Sequence, residues 1–200
     1  MNILRIDSSA RYTDSVGRDL ASRLIERLDP TGTATVVERD LGAGLSLLDE
    51  PTLGAAFTPP ESRTADQTQL LVEGQGMIDE IVAADAIVIA MPIYNFSAPA
   101  SLKAWADQVA RAGVTFQYTP NGPEGLLADR PAYVIVTSGG VPIDSPADWA
   151  TGWIRQFLGF IGISSVTVVE AGQLNTDPEA AVTAARESVA NLELATVGSA

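Results

Sequence analysis

Ala86-Ile87-Val88-Ile89-Ala90-Met91-Pro92-Ile93-Tyr94-Asn95-Phe96-Ser97-Ala98-Pro99 decides how the rest of the chain is read. The apolar run predicts a strand over Ala86–Met91 with no polar alternation, the pattern of a strand covered on both faces of a parallel sheet. It breaks into a loop carrying a tyrosine, a carboxamide and a phenylalanine. Helical spacing then resumes at Leu102, Trp105, Ala106 and Val109. Open α/β sheets keep ligands beyond the carboxyl ends of their strands, so this loop reads as a binding site for something flat and polar-edged.

The same alternation of strand-length runs and helical repeats extends in both directions. Upstream, Ile3–Asp7 is a first strand, and Val16, Leu20, Leu24 and Leu28 form a helix face that Pro30 closes. Thr33–Glu38 is a second strand. The stretch Asp40–Arg63 holds Gly42, Gly44, Pro51, Pro59 and Pro60 and reads as a long connection, the kind that becomes a lid or a binding loop. Thr64 with Gln67 forms a capping box opening a helix with Leu70, Met77, Ile78, Ile81 and Val82 on one face, weakened by Gly74 and Gly76. Downstream, Tyr133–Thr137 is a fourth strand, Trp149, Trp153, Phe157 and Phe160 mark a helix, and Val166–Glu170 is a fifth strand. Asp177-Pro178 pairs an N-cap with a first-turn proline before Val182, Ala185, Val189 and Leu192. With no repeat and no charged linker, residues 1–200 read as one domain.

Composition narrows the chemistry. The 12 basic and 25 acidic residues give a net charge of −13, which repels nucleic acid and anionic membrane surfaces. There is no cysteine and no histidine, so disulfides, thiolate nucleophiles and the usual metal ligands and general base are absent. No metal site is expected, and an enzyme built from this chain would leave its chemistry to an organic cofactor. Charges interrupt the N-terminal run Met1–Asp7, and no stretch approaches the roughly 18 apolar residues of a membrane span, so a cytoplasmic location is expected.

Three strand ends carry the candidate site. After the first strand, Ser8 to Gly17 brings hydroxyls and small residues into a helix start, where free N–H groups and the helix dipole suit a phosphate monoester; an ordinary N-cap is the alternative. The segment lacks GxGxxG and GxxxxGK[ST], which argues against dinucleotide and Walker-type sites. After the third strand stand Tyr94, Asn95 and Phe96, and after the fourth Thr137-Ser138-Gly139-Gly140, whose glycines permit close backbone approach. Each has a plain turn as its alternative, but together they fall on one edge. Five strands in this arrangement fit a flavodoxin-like doubly wound α/β sheet of order 2-1-3-4-5 with helices on both faces, whose ligand crevice lies between the first and third strands. The segment Ala110–Gly125 reads as an excursion, with a surface hairpin as its alternative.

MPIYNFSAPASLKAW (Met91–Trp105), ARAGVTFQYTPNGPEGL (Ala110–Leu126) and FLGFIGI (Phe157–Ile163) resemble the family of FMN-dependent NADH:quinone oxidoreductases and azoreductases, and the resemblance runs over nearly the whole chain. It implies a homodimeric flavoenzyme with active sites at the subunit interface. NADH would reduce bound FMN, and quinones or aromatic azo compounds would then take two electrons in a ping-pong cycle. Hydride would be carried by flavin N5, so no side chain is assigned a catalytic role. Ser9, Ser15, Val16 and Gly17 would hold the phosphate. Ile93, Tyr94, Asn95 and Phe96 would contact the ring and ribityl chain. Thr137, Ser138, Gly139 and Gly140 would line the pyrimidine end, and Tyr118 and Phe160 would shape the substrate pocket. Gly17 replaces a usual serine, and Ser138 stands where some members carry arginine. No basic residue stands near Phe57 where some relatives have one, which points to NADH rather than NADPH. Two other readings remain: an FMN electron carrier without turnover, and a flavin-free binding module. The long segments Asp40–Arg63 and Val114–Gly125 wall the site more than a carrier needs.

Overall fold

In the computed structural model, which describes residues 1–195, the alternating pattern becomes a doubly wound sheet. The last five residues of the single domain read from the sequence lie outside the described residues. In chain order the elements are β1 (Asn2–Asp7), α1 (Val16–Leu28), β2 (Thr35–Asp40), α2 (Glu50–Phe57), α3 (Ala65–Leu70), α4 (Val72–Ala83), β3 (Ala86–Pro92) and α5 (Ala100–Val109). They continue with β4 (Phe116–Thr119), β5 (Gly122–Gly125), β6 (Ala132–Thr137), α6 (Trp149–Ile161), β7 (Val166–Ala171) and α7 (Pro178–Asn191). Five strands pair in parallel in the order β2-β1-β3-β6-β7, and β4 and β5 form a separate antiparallel hairpin. Counting only the main sheet, the order is the expected 2-1-3-4-5.

Alternate side chains of β3 enter opposite layers, as the two-residue period of a strand requires. Ile87, Ile89 and Met91 pack with Met77, Ile81, Leu102, Trp105 and Ile154 from α4, α5 and α6. Val88 and Ala90 meet Leu20, Leu24, Ala185 and Val189 from α1 and α7. Both faces being covered, β3 and β6 are buried along their whole length. Chain growth reverses between β1 and β3, which opens a crevice at their carboxyl ends.

Several local expectations are corrected. The second strand runs two residues later than Thr33–Glu38 and is a largely exposed edge. Asp40–Arg63 is not a bare loop: it contains α2 and two short 3₁₀ turns, Leu41–Ala43 and Pro60–Ser62. Pro51 lies in the first turn of α2, where its missing N–H has no helical partner to lose, and Asp49 caps that helix by accepting from Thr52 N–H. The Thr64/Gln67 capping box forms in both directions, but the helix breaks at Leu71. Leu70 and Val82, assigned to its apolar face with Met77, Ile78 and Ile81, are exposed. Gly74 is required by packing, since a Cβ there would lie 2.8 Å from the Arg111 guanidinium and 3.0 Å from the Gln108 carbonyl. Trp149, one of the aromatics that mark the sixth helix, is exposed. The hairpin alternative for the 110–125 excursion is the one found; a Cβ on Gly125 would run into the Gly162 backbone, and one on Gly162 into the Leu127 carbonyl. No helix among the described residues is long and apolar enough to cross a membrane.

Candidate functional site at the carboxyl ends of β1, β3 and β6

A cavity of about 260 Å³ opens where β1, β3 and β6 end. One wall is the β1–α1 loop. Ser15 caps α1, its Oγ accepting from Arg18 N–H at 3.5 Å, which leaves the first-turn N–H groups of Val16 and Gly17 without helical acceptors. Ser9 is buried, and its Oγ accepts from Arg11 N–H at 3.1 Å. Ser9, Ser15, Val16 and Gly17 all line the cavity.

The second wall continues β3. Ile93 N–H donates to Thr137 O at 2.8 Å, which fixes the start of this loop to β6. The Tyr94 hydroxyl reaches across the crevice, accepting from Ala10 N–H at 3.2 Å and lying 3.4 Å from Ser9 Oγ. Reciprocal hydrogen bonds between Tyr94 and Ser97 then close a two-residue turn in which Asn95 (φ 50°) and Phe96 (φ 72°) both take positive φ. That is the signature of a type I′ turn, in which the second central residue is ordinarily glycine.

The third wall is Thr137, Ser138 and Gly139. Leu174 N–H donates to Ser138 O at 3.1 Å and Asn175 N–H to Gly139 O at 2.9 Å, so the loop after β7 holds this segment in place. The Asn175 amide lies over Gly139, where a Cβ would come within 2.5 Å of Nδ2.

Of the residues singled out from the sequence, Ile93, Tyr94, Thr137, Ser138 and Gly139 join the four β1–α1 residues on the cavity wall. Asn95, Phe96 and Gly140 do not. Asn95 faces a neighbouring cavity of about 610 Å³ with Lys103 and Trp153, and Phe96 is exposed. Tyr118 and Phe160 lie outside this cavity; both pack on Phe116, with ring centroids 5.3 Å and 4.4 Å away. The wall also contains Arg11, Asp14, Leu174 and Asn175, which the sequence pattern does not single out. Arg11 lies inside the hydroxyl-rich run, where neutral donors already suffice for an anion site, so its charge carries no separate signal. Asn175 gives no local signal beyond following the fifth strand.

Behind the first wall lies a charge cluster. The hydrogen bonds from Arg18 to Asp40 raise the guanidinium pKa above its ordinary value against its burial, and the charges of Asp7 and Asp40 add to the effect. Burial opposes the charge of Asp40, yet the bonds from Arg18 and Gly42 N–H bring its pKa below the ordinary carboxylate value. Both groups therefore stay ionised at neutral pH, and the cluster is a fixed support.

Chemically, the site offers unpaired backbone donors, hydroxyls, one arginine and the Asp14 carboxylate at one end, a tyrosine and carbonyl-lined strand ends in the middle, and amide and hydroxyl groups at the other. This donor set fits a phosphate monoester joined through a polyol to a flat heterocycle.

A family model described as flavodoxin-like fold matches residues 1–193. The chain is 52% identical over 180 residues to FMN-dependent NADH:quinone oxidoreductase 1 of Jannaschia sp. (strain CCS1), covering 90% of this chain and 92% of that one. It is 47% identical over 189 residues to FMN-dependent NADH:quinone oxidoreductase 1 of Hahella chejuensis, covering 94% and 93%. The crystal structure of an azoreductase from Bacillus anthracis str. Sterne superposes with a TM-score of 0.84 at 26% identity, covering 95% of this chain and 97% of that one.

Proposed function

Because the chain belongs to the flavodoxin-like-fold family that includes the FMN-dependent NADH:quinone oxidoreductases, we propose that the cleft at the ends of β1, β3 and β6 is its FMN site and that the protein uses it to reduce quinones and aromatic azo compounds with NADH. The observation that carries this reading is the convergence of three separate loops on one cavity with donors graded from anion-binding to amide-binding. FMN held there would supply the redox chemistry between NADH and the acceptor.

The chain's own residues bind and orient. Val16 and Gly17 N–H groups, Ser9, Ser15 and Arg11 would take the phosphate. Ile93 and Tyr94 would flank the ribityl chain and ring, with Asn95 and Phe96 at the ring edge. Thr137, Ser138 and Gly139 would meet the pyrimidine end, with Gly140 beyond them. No histidine stands ready to deliver protons, and water can supply them.

A second copy of the chain completes the site in this reading. Tyr118 and Phe160 do not line the cleft of their own chain, so a substrate-pocket role requires them to come from a partner. The exposure of Tyr118 (76%) and Trp149 (70%) supports an apolar contact surface. Size-exclusion chromatography with light scattering tests it; a monomer at micromolar concentration refutes it. The location we propose is the cytoplasm, supported by the NADH requirement of the family.

Anaerobic stopped-flow spectroscopy of FMN-loaded protein tests the whole scheme. Flavin absorbance should bleach on adding NADH and recover on adding a benzoquinone. Bound FMN that stays oxidised with NADH would favour an electron carrier, and a protein that takes up no FMN would overturn the flavin reading.

A further inference from the structure

Arg18 does not line the cleft, yet its side chain is the most heavily committed group around it. Its Nε donates to the Arg11 carbonyl at 3.1 Å, and its Nη2 to the Ser9 carbonyl at 3.0 Å. The same fork binds both oxygens of Asp40, at 2.8 and 3.1 Å, and lies 3.3 Å from Asp7 Oδ2. The Tyr12 ring covers the guanidinium at 4.7 Å. One planar group thus grips both ends of the Ser9-Ala10-Arg11 segment from behind, while two aspartates fix the group itself. A lysine keeps the charge but not the fork.

A second contact presses on the same segment. Asp40 ends β2 and accepts from Gly42 N–H at 2.9 Å, turning the chain so that a Cβ on Gly42 would stand 2.6 Å from the Ser9 carbonyl oxygen and 3.2 Å from Arg18 Nη2. Only glycine fits there without pushing the loop forward. On the cleft side the loop is met by the Tyr94 hydroxyl, and from behind its position is set by Asp7, Arg18, Asp40 and Gly42, none of which lines the cleft.

We infer that Arg18, held between Asp7 and Asp40 and backed by Gly42, is a positioning residue that fixes the Ser9–Asp14 loop at the height that selects FMN over riboflavin. This rests on the flavin reading of the cleft. The selection follows from pre-organisation: donors already held in place lose little conformational freedom when a phosphate arrives, and a loop free to shift loses more. Riboflavin, having no phosphate, senses the loop's position only through Tyr94, whose hydroxyl meets the loop, and so responds less than FMN.

The test is the dissociation constant of FMN and of riboflavin, each by flavin fluorescence quenching on stripped protein, for the unaltered chain, Arg18→Lys and Gly42→Ala. Both variants should weaken FMN about tenfold, close to the loss of a single hydrogen bond to the phosphate, and change riboflavin by less than about twofold. Arg18→Lys binding FMN as tightly as the unaltered chain would show that charge suffices and overturn the clamp. Equal weakening of both flavins would mean a merely structural role and also overturns it. Should Arg18→Lys fail to fold, Gly42→Ala, which unpairs no charge, decides the matter by its FMN-to-riboflavin ratio. An unaltered chain that binds no flavin overturns the flavin reading together with the clamp. One that prefers FMN while Gly42→Ala keeps that preference overturns the clamp alone.

Discussion

Phe96 occupies a backbone conformation that costs a side-chain-bearing residue free energy, and the cost can be isolated by comparing two truncations. At φ 72° the Cβ crowds the following carbonyl, a penalty of about 1–2 kcal/mol that glycine escapes. Phe96→Gly and Phe96→Ala both remove the ring, so the loss of its partial burial cancels between them. At an ordinary site alanine is favoured over glycine by about 0.4–1 kcal/mol through the unfolded chain. Here the order should reverse, leaving glycine ahead by about 1 kcal/mol or slightly less. In a domain of this length that is about 2–4 °C in melting temperature. Thermal unfolding of the two flavin-free variants, followed by circular dichroism, reads the difference directly. Both variants should bind FMN about tenfold more weakly than the unaltered chain, because the aromatic ring that would meet the flavin edge is gone. An alanine variant melting at or above the glycine variant refutes the strain. A glycine variant that binds FMN as tightly as the unaltered chain refutes the idea that the strain is kept for the ligand.

Three further substitutions probe the frame around the cleft. Gly17→Ala places a Cβ 3.5 Å from Ala90 Cβ and Thr137 Cγ2, ordinary contact distances. It should therefore stabilise the first turn of α1 by about 0.4–1 kcal/mol, seen as a higher melting temperature; a lower one would mean the cleft floor is tighter than the geometry indicates. Asp148, 8% exposed, accepts from Ala150 N–H, Thr151 N–H and hydroxyl, and Asp144 N–H at 2.6–3.0 Å. Its replacement by alanine should cost about 2 kcal/mol, the upper end for an N-cap, and lower melting by about 4–8 °C. Asp129 is opposed by burial but receives N–H and hydroxyl bonds from Ser165 and Ser164, which bring its pKa from 3.8 to about 2. Because the folded pKa is depressed, the stabilisation is complete above the unfolded value and is lost as pH falls through 3.8 towards 2. The melting difference between the unaltered chain and Asp129→Asn should accordingly shrink between about pH 5 and pH 2, and a difference constant over that range would contradict this linkage.

The parts of the fold legible in the sequence are those dictated by local physics. The uninterrupted apolar runs of β3 and β6 had to be inner strands, and Thr64/Gln67 and Asp177-Pro178 form the caps that their residue types predict. α2 was hidden because Pro51 is a breaker everywhere except in the first turn, and composition does not say where a turn begins. The alignment of three loops along one edge was readable, since strand ends can be counted. Which side chains meet there was not. The Tyr94 hydroxyl approaches Ser9 Oγ across 85 positions, and Asn175 covers Gly139 from another strand's loop. Nor could periodicity show that Asn95 and Phe96 share a turn with positive φ at both positions, because Asn-Phe lacks the glycine that announces it.

A chain of net charge −13 that receives a phosphate-bearing cofactor poses an electrostatic question that the geometry answers. At physiological ionic strength charges separated by more than about 8 Å are largely screened, so distant carboxylates matter little to an anion at the start of α1. Near that point Arg5 and Arg18 face Asp7, Asp40 and Glu38, so the supporting cluster has no positive charge to spare. Arg11 is the one cation on the cleft wall, and it has no ion-pair partner among the described residues. Its charge, together with the unpaired N–H groups of Val16 and Gly17, forms the attractive part of the local field, against the carboxylate of Asp14 on the same wall. The acidic surface governs solubility and repels polyanions, while in the proposed site one arginine and the first turn of a helix, backed by a cluster with no positive charge to spare, would decide whether a phosphate is held.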